Sequence, residues 1–350
     1  MFASMKSPFR MHRARAVRAA AFLMLGLCTA LAAAKSQKQP QLPGIKPGPR
    51  ATSLRIVWLY IQPDTTSQKI AQIQIGREMV VLASSGPWLN VEANTDIEEV
   101  ENEQDQPMIG SENAPQPLSG WVEAKGIVEE TTSNGDQVLM GAAANEEVLA
   151  SNPEGPANAA HAAQLLYRRL YEMFPNSPLA PEAQWRAADI QWQIEKADIA
   201  TLPSSKERQP WMHEQIDETA LKKVIKKYPR TRWAALAAFD LIDNKLCGDW
   251  EGSEQCPEHE SDIYEKYADE YPDGPRTAQA LYDAAYRQAV LANMYSASGD
   301  QGKSKNAIEH CRALADKLKQ HFPDTDYAWR AGMLVYKLDQ DIPVFGIDQG

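Results

Sequence analysis

Four dipeptides in which an aromatic residue precedes a proline constrain this 350-residue chain more than any other feature. They lie 54, 43 and 51 residues apart, at Phe174-Pro175, Tyr228-Pro229, Tyr271-Pro272 and Phe322-Pro323. Proline disfavours the helical conformation of the residue before it, so a helix that reaches such a dipeptide ends there. The dipeptides therefore predict four helix ends, and their recurrence predicts an internal repeat.

Both flanks of each dipeptide have the pattern of a helix. Upstream, apolar side chains recur at intervals of about four residues, as Leu166 and Leu170 do before Phe174, and this is the spacing of one helix face. Downstream, after a short polar turn, small residues return at helical spacing, beginning with Ala180 in the first copy. Small residues allow two helices to pack closely. The sequence thus predicts stacked helical hairpins over residues 157–340.

This pattern resembles the tetratricopeptide-like hairpins of bacterial periplasmic proteins. Relatives in style are the tetratricopeptide lipoprotein of the outer-membrane barrel-assembly machinery and the coordinator protein of the Tol–Pal system, whose helices also end in Tyr/Phe-Pro before an Ala-rich helix. The resemblance covers about Ala157–Leu338 and departs in spacing, because the usual repeat has about 34 residues. It implies an all-α array that binds proteins or peptides along a groove.

The N-terminus predicts export. Residues 1–34 contain five basic residues, no acidic residue and the apolar stretch Ala19–Ala34, and Ala-x-Ala sequences end at Ala32 and Ala34. These are the parts of a cleaved signal peptide. The alternatives are an uncleaved membrane anchor and a lipoprotein modified at Cys28, which the apolar residue before it disfavours. We expect secretion across the inner membrane into the periplasm or cell envelope, with the membrane reached only through the signal sequence.

Charge argues against nucleic acid as a partner. The formal net charge is −11 at pH 7, and loss of the five basic residues of the signal peptide would take it to −16. A chain this acidic is repelled by nucleic acid and by anionic lipid.

A segment with the period of β-strands follows residues 35–52, which are Pro-rich and predict an extended linker. Over residues 53–130, β-branched and aromatic runs alternate with turns, as in Gly86-Pro87-Trp88-Leu89-Asn90-Val91 and Gly120-Trp121-Val122. Short strands bounded in this way predict a small all-β barrel. The order resembles a bacterial SH3-like (SH3b) domain, although Val57-Trp58-Leu59-Tyr60 replaces the usual opening motif.

The resemblance to SH3b domains implies a binding role, because family members bind cell-wall glycopeptides or peptides. Trp88 and Trp121 are the candidate ligand contacts, and the alternative is a place in the core of the barrel. Both positions also fit core residues because large aromatic side chains are usually mostly buried.

Two segments of residues 53–156 lack regular periodicity. The insert 93–119 has seven acidic residues and no Lys or Arg. It lacks the alternating ligands and central Gly of a calcium loop, so we predict a solvated loop rather than a cation site. Residues 131–156 are rich in Gly, Asn, Ala and Glu, and we predict that they link the two domains and include a short helix at Glu146–Ala150.

The spacing of the cysteines indicates one disulfide. Cys247 and Cys256 flank a loop between the second and third hairpins, and a disulfide there would suit an oxidising compartment. On the chain-entropy estimate it would stabilise the fold by about 2–3 kcal/mol. The alternative is a zinc site of Cys247, Cys256 and His259, which lacks a fourth ligand and a standard spacing. Cys311 lies on an apolar helix face and is predicted to be a core residue.

No motif of the sequence predicts catalysis. Residues 297–304 nearly match a phosphate-binding P-loop, but Ala297 replaces the first Gly and a helix precedes the segment, so a turn between helices is the better interpretation. The sequence has neither a Gly-x-Ser-x-Gly nor a His-Glu-x-x-His motif. A glycosidase pair among the many carboxylates stays open. We expect no enzyme activity, no cofactor and no metal.

Aromatic residues of the second helices are the remaining candidate ligand contacts, with a place between repeats as the alternative. They are Trp185, Trp192, Tyr282, Tyr286, Trp329 and Tyr336.

The sequence as a whole predicts a multidomain protein, in which an SH3-like barrel precedes a tetratricopeptide-like array and residues 341–350 form a tail. We expect a non-catalytic scaffold that binds envelope proteins or peptides, and peptidoglycan through the barrel. The alternatives are an accessory factor in outer-membrane protein assembly and the targeting subunit of a cell-wall hydrolase.

Overall fold

The computed structural model describes residues 48–95, 117–206, 214–248, 250 and 252–344. All of them belong to one compact unit, Pro47–Gly350. The predicted signal peptide, most of the linker 35–52, the acidic residues of the insert 93–119 and most of the tail 341–350 lie outside the described residues. An antiparallel sheet precedes a helical array, which confirms the coarse part of the predicted fold class. None of the described helices is both long and apolar enough to cross a membrane.

Seven strands form the sheet. They are β1 (Arg50–Ser53), β2 (Val57–Tyr60), β3 (Lys69–Ile73), β4 (Glu78–Ser85), β5 (Trp88–Ala93), β6 (Leu118–Glu123) and β7 (Ile127–Glu129). Their order in the sheet is β3-β2-β6-β5-β4-β1-β7, with every pair antiparallel. The inward residues are apolar and almost fully buried, as Leu59, Val91 and Val122 are.

The sheet is open, whereas a closed barrel was predicted. Its edge strands are β3 and β7, which do not pair with each other in the described part of the chain. β7 has only three residues, and all of them pair with β1. Because β7 is so short and one of its edges is already paired with β1, it offers few backbone groups for the hydrogen bonds to β3 that would close a barrel.

Strand β1 corrects the boundary of the linker 35–52, since the strand begins at Arg50. It lies between β4 and β7 in the sheet. Its polar residues do not show the pattern of a strand in the sequence. Thr52 is nevertheless fully buried, and its hydroxyl donates to the carbonyl oxygen of Arg77 at 2.9 Å. A buried hydroxyl is tolerated when it is hydrogen-bonded in this way.

Nine α-helices follow the sheet in the described residues. They are α1 (Gly135–Ala150), α2 (Ala159–Met173), α3 (Ala180–Thr201), α4 (Thr219–Lys227), α5 (Arg232–Asp240), α6 (Gln255–Glu270), α7 (Thr277–Ala297), α8 (Gln301–His321) and α9 (Asp326–Asp339). Each aromatic–proline dipeptide lies between the two helices of a pair, α2/α3, α4/α5, α6/α7 or α8/α9. The four predicted hairpins are therefore present. The P-loop-like residues 297–304 form the turn from α7 to α8.

The aromatic residue before each proline ends its helix in one conformation. Phe174, Tyr228, Tyr271 and Phe322 have φ between −122° and −136° and ψ between 48° and 65°, outside the helical region. Each donates its backbone N–H to the carbonyl oxygen four residues earlier, at 2.7–2.9 Å. The following proline excludes the helical conformation at this residue, so the helix ends where the sequence predicts.

Residues 131–156 are not the predicted linker, because they contain helix α1. Leu139 and Ala143 on α1 are fully buried in one core with Leu166 and Leu170 of α2. The helix begins at Gly135, where a Cβ would lie 2.5 Å from the Phe174 ring. α1 therefore adds a helix to the array before the first predicted hairpin.

The sheet and the array share a polar contact and an apolar one. Arg50 on β1 bonds Glu172 on α2 at 2.8 Å, and Arg169 on α2 bonds Glu78 on β4 at 3.0 Å. Beside them, Val128 of β7 belongs to the same buried core as α1 and α2. These contacts connect the two parts of the described chain.

Candidate functional site

The second helices of the hairpins present a surface of aromatic and charged residues, which we call the second-helix face. Its first part lies on α3 and α5, where Trp185 stacks on Trp233 with ring centroids 5.4 Å apart. The indole Nε1–H of Trp185 donates to Asp240 Oδ2 at 3.4 Å, and the Arg232 guanidinium lies 4.6 Å from the Trp233 ring centroid. Both indoles are only partly buried, so this stack is available to a ligand.

Two carboxylates beside the stack lack a counter-charge. Burial raises the pKa of Asp240 to about 7, with the charge of Asp189 adding to it. Burial also raises the pKa of Asp189. Arg276 opposes both shifts only at longer range, and neither carboxylate has a Lys or Arg within 4.0 Å among the described residues. A basic group brought to this place would relieve the cost of their burial.

The second part of the second-helix face lies on α7 and α9. The rings of Tyr282 and Tyr327 are 5.9 Å apart. The Arg330 guanidinium lies 4.1 Å from the Tyr282 ring centroid and donates to its hydroxyl oxygen at 3.0 Å. Burial raises the pKa of the neighbouring Asp283 to about 6. Aromatic rings and carboxylates thus recur at both ends of the face.

A disulfide loop adds an indole to the face. Cys247 and Cys256 form a disulfide with their Cα atoms 5.9 Å apart, so neither sulfur is left as a thiolate for the alternative zinc site. The loop brings the Trp250 ring to 6.5 Å from that of Tyr286 on α7.

A buried carboxylate, Glu260 of α6, holds this loop in place. It is 1% exposed. It accepts hydrogen bonds from the backbone N–H of Cys247 at 2.9 Å, from Trp250 Nε1 at 3.1 Å and from Arg287 Nε at 3.0 Å. Three donors satisfy a carboxylate that would otherwise be costly to bury. Neither Trp250 nor Glu260 was predicted from the sequence, although a Trp between two paired cysteines was a usable signal.

The structure separates the predicted contacts of the second helices. Trp185 and Tyr286 lie partly buried on the second-helix face. Trp192 does not, because at 1% exposed it fills the core between α3, α4 and α5. Trp329 is 66% exposed, but it lies with Tyr336 on the side of α9 turned away from Tyr282. Of the six predicted second-helix contacts, Trp185, Tyr282 and Tyr286 therefore belong to the face.

The cysteine predicted to lie in the core does so. Cys311 on α8 is fully buried among apolar residues of α7, α8 and α9. Burial raises the pKa of its thiol, which keeps it protonated and unreactive at neutral pH.

The outer side of the sheet has a second aromatic cluster, defined by Trp58, Tyr60, Trp88 and Trp121. Tyr60 and Trp121 are cross-strand neighbours on β2 and β6, and the Tyr60 and Trp88 rings meet edge to face at 5.5 Å. Trp58 is 38% exposed, with the Lys69 ammonium 4.5 Å from its ring centroid. The two predicted contacts thus share one face, but Trp88 is buried whereas Trp121 is partly exposed. Trp58 and Tyr60 were not predicted as contacts.

No protein-family model matches the sequence, and no curated protein matches it. Solved structures with some likeness are designed repeats. The de novo designed helical repeat protein DHR64 is 13% identical, with 59% of this chain and 92% of that chain covered and a TM-score of 0.22. The DHF58 filament (16% identity, 59% and 91% covered) and the DHF79 filament (15% identity, 57% and 95% covered) also have TM-scores of 0.22. TM-scores this low support no conclusion about the fold of this chain.

Proposed function

We propose that this chain is a non-catalytic binding protein of the cell envelope, in which the second-helix face holds a peptide segment of a partner protein. The observation that supports this most is the Trp185–Trp233 stack beside Asp189 and Asp240. Partly exposed indoles offer large contact area at low entropic cost, and such residues dominate binding energy at interfaces. Carboxylates without a counter-charge favour a partner with basic groups.

The proposal includes a tetratricopeptide-like assignment for the array and export from the cytoplasm. Helical hairpins that end at aromatic–proline dipeptides support the first. The apolar, acid-free residues 1–34 and the Cys247–Cys256 disulfide support the second, because disulfides persist in oxidising compartments. The partner expected in that compartment is an exported protein.

Selection of short random peptides displayed on phage tests the proposed face. Peptides that bind the full chain should be rich in aromatic and basic residues, and the double variant Trp185→Ala, Trp233→Ala should weaken their binding by about tenfold or more. The matched control is Trp329→Ala, which removes an indole from the other side of α9 and should leave binding unchanged. Equal binding to all three proteins would rule out the second-helix face.

A second candidate function is contact with the cell wall through the outer side of the sheet. The exposed Trp58 and the partly exposed Trp121 favour it, because aromatic faces pack against sugar rings and peptides. The SH3-like assignment of residues 53–130 belongs to this candidate. Co-sedimentation with purified peptidoglycan should retain the full chain and should lose the double variant Trp58→Ala, Trp121→Ala but not Trp329→Ala. A cleared zone on peptidoglycan in a zymogram would instead contradict the non-catalytic proposal.

A further inference from the structure

A cleft of about 150 Å³ opens between α2 and α4, over α3. We call it the α2–α4 cleft. Its floor includes Ala187 and Ala188 of α3, which are buried and small and therefore leave the space open. The residues of α3 that line it are not those of the Trp185 stack, so the cleft is separate from the second-helix face and does not depend on its proposed function.

Hydrogen-bond donors surround the cleft. Its polar lining consists of Gln164, Arg168, Tyr171, Gln184, Gln191 and Lys223. None of the lining residues is acidic, although the chain as a whole has a net charge of −11. Guanidinium and ammonium groups only donate, and the amide and hydroxyl groups are able to donate. The lining therefore suits a ligand that accepts hydrogen bonds.

Gln184 is oriented to donate into this space. Its side-chain oxygen Oε1 accepts from Lys227 Nζ and from the Tyr228 hydroxyl, each at 3.1 Å. Because both bonds use the oxygen, the amide nitrogen of Gln184 is the group left for a ligand. Two donors at the end of α4 thus fix which end of the Gln184 amide is free to bond a ligand.

The local charge is positive. Lys223 is exposed and has no carboxylate within 4.0 Å in the described part of the chain. Arg168 bonds Glu172 at 2.8 Å, but Arg50 and Arg169 also bond that carboxylate, at 2.8 Å and 2.7 Å. Arg50 and Arg169 also pair with Glu78, at 2.5 Å and 3.0 Å. The cluster beside the cleft therefore holds three guanidinium groups and two carboxylates and has one excess positive charge.

Helix α4 extends this charge beyond the cleft. Four exposed lysines, Lys222, Lys223, Lys226 and Lys227, lie on α4 and Arg230 follows it, with no acidic residue between them. The cations continue along one surface, so an extended segment with several acidic residues would meet one of them in the cleft and others outside it.

We propose that the α2–α4 cleft binds a side-chain carboxylate of an acidic peptide segment from a partner protein. A carboxylate accepts several hydrogen bonds at once, and bonds between charged groups are the stronger ones. Lys223 is the lining cation without an ion pair in the described residues, because Arg168 pairs with Glu172. One such ammonium together with neutral amide donors matches a single negative charge better than the double charge of a phosphate. The remaining lysines of α4 attract the acidic residues that flank the bound one.

Fluorescence anisotropy with a labelled, C-terminally amidated oligoglutamate peptide tests this proposal on the full chain. We expect binding in low salt that weakens as the salt rises from about 0.05 M to 0.5 M, because exposed charges are then screened. The glutamine counterpart of the peptide should not bind. No binding of oligoglutamate, or equal binding of the two peptides, would overturn the proposal.

Two neighbouring lysines provide a matched pair of variants. Lys223→Glu should weaken oligoglutamate binding by about tenfold or more, since it puts a carboxylate in the cleft. Lys222→Glu makes the same change of charge outside the cleft, where Lys222 already pairs with Glu218 at 2.5 Å, and should cost less than about threefold. Gln191→Glu should also weaken binding, although less than Lys223→Glu, because it changes the charge of the cleft by one unit rather than two. Equal losses for Lys222→Glu and Lys223→Glu would mean that α4 attracts acids non-specifically and would overturn the cleft as the site.

Competition with small anions tests whether the cleft prefers a carboxylate or a phosphate group. Acetate should displace the oligoglutamate peptide from the full chain at lower concentrations than inorganic phosphate at the same ionic strength. Stronger displacement by phosphate would assign the cleft to phosphate groups and overturn the proposal. All three variants lie on exposed or partly exposed positions, so their helical circular dichroism should equal that of the parent chain.

Discussion

The buried carboxylate of Asp240 on the second-helix face affects both the stability of the fold and the binding that we propose. Asp240 is partly buried beside Trp185, and no cation of the described chain pairs with it. Burial, Asp189 and Asp243 raise its pKa to about 7, while the Trp185 hydrogen bond and Arg276 oppose the rise. A residue kept in an unfavourable charge state by the fold is often one that a ligand stabilises.

Replacing Asp240 by Asn should make stability less dependent on pH. Below the unfolded pKa of 3.8 the carboxyl group is protonated in both states. As the pH rises towards 7, the unfolded chain ionises while the folded chain keeps its proton, so the wild type loses stability. Asp240→Asn should therefore raise the free energy of unfolding by about 1–2 kcal/mol at about pH 8 and by about 0 at about pH 4, after allowance for solvent screening.

Urea denaturation at the two pH values measures this difference. Asp324→Asn, an exposed position in the turn between α8 and α9, is the control and should behave as the wild type at both. An effect of Asp240→Asn that is the same at pH 4 and pH 8 would show that the carboxylate is not destabilised by burial.

At this scale the sequence predicted some residues of the candidate site and not others. Trp185 was predictable as a second-helix aromatic, but its partner Trp233 was not, because the stack joins residues of different hairpins. Trp192 was predicted as either a ligand contact or a residue between repeats, and the structure shows the second. It is buried against Ile216, Leu221 and other residues of the next hairpin, and one helix's periodicity does not show which neighbour covers it.

At the scale of elements, local chemistry decided what was predictable. The proline after Phe174, Tyr228, Tyr271 or Phe322 ends a helix through sterics of adjacent residues alone, so all four ends were correct. Helix α1 was predicted only as the short helix Glu146–Ala150, because Gly135 and Gly141 in its first turns are poor helix formers. Its stability comes from packing against α2, which the sequence of α1 does not contain.

Truncation of Leu139 tests whether α1 is part of the array. Leu139 is fully buried in the core shared with Leu166 and Leu170, so Leu139→Ala should lower the free energy of unfolding by about 2–4 kcal/mol. Val138 precedes it and is 40% exposed, so Val138→Ala should change stability by less than about 0.5 kcal/mol. Chemical denaturation followed by circular dichroism at helix wavelengths measures both, and equal small effects would return residues 131–156 to the role of a linker.

At the scale of the whole molecule, the unpredicted feature is the contact between the sheet and the array. The sequence suggested two domains joined by a linker, yet Arg50, Glu78, Arg169 and Glu172 form one ion-pair cluster across β1, β4 and α2. The two pairs that join the sheet to α2, Arg50–Glu172 and Arg169–Glu78, link residues more than 90 positions apart, and no local pattern encodes them. The contact sets the relation between the aromatic cluster of the sheet and the second-helix face.

A comparison of two glycines distinguishes the effect of this contact on stability from the effect of backbone strain. Gly76 and Gly86 both have positive φ, 80° and 57°. A Cβ added at Gly76 would lie 2.6 Å from the Leu165 Cβ and 3.1 Å from the Leu166 backbone nitrogen, both on α2, whereas one added at Gly86 would meet nothing within 4 Å. Alanine at either site costs about 1–2 kcal/mol for the left-handed conformation, so any further loss at Gly76 reports the approach of the sheet to α2.

We expect Gly76→Ala to destabilise the chain by about 1–3 kcal/mol more than Gly86→Ala, because the helix backbone must move to admit the methyl group. Thermal unfolding should show the reason for the extra loss. If the sheet and the array unfold together, Gly76→Ala lowers the midpoint seen by helix ellipticity and by tryptophan fluorescence alike, while Gly86→Ala acts chiefly through the sheet. Equal losses for the two variants would mean that Gly76 does not press on α2 and that the sheet and the array fold as independent domains.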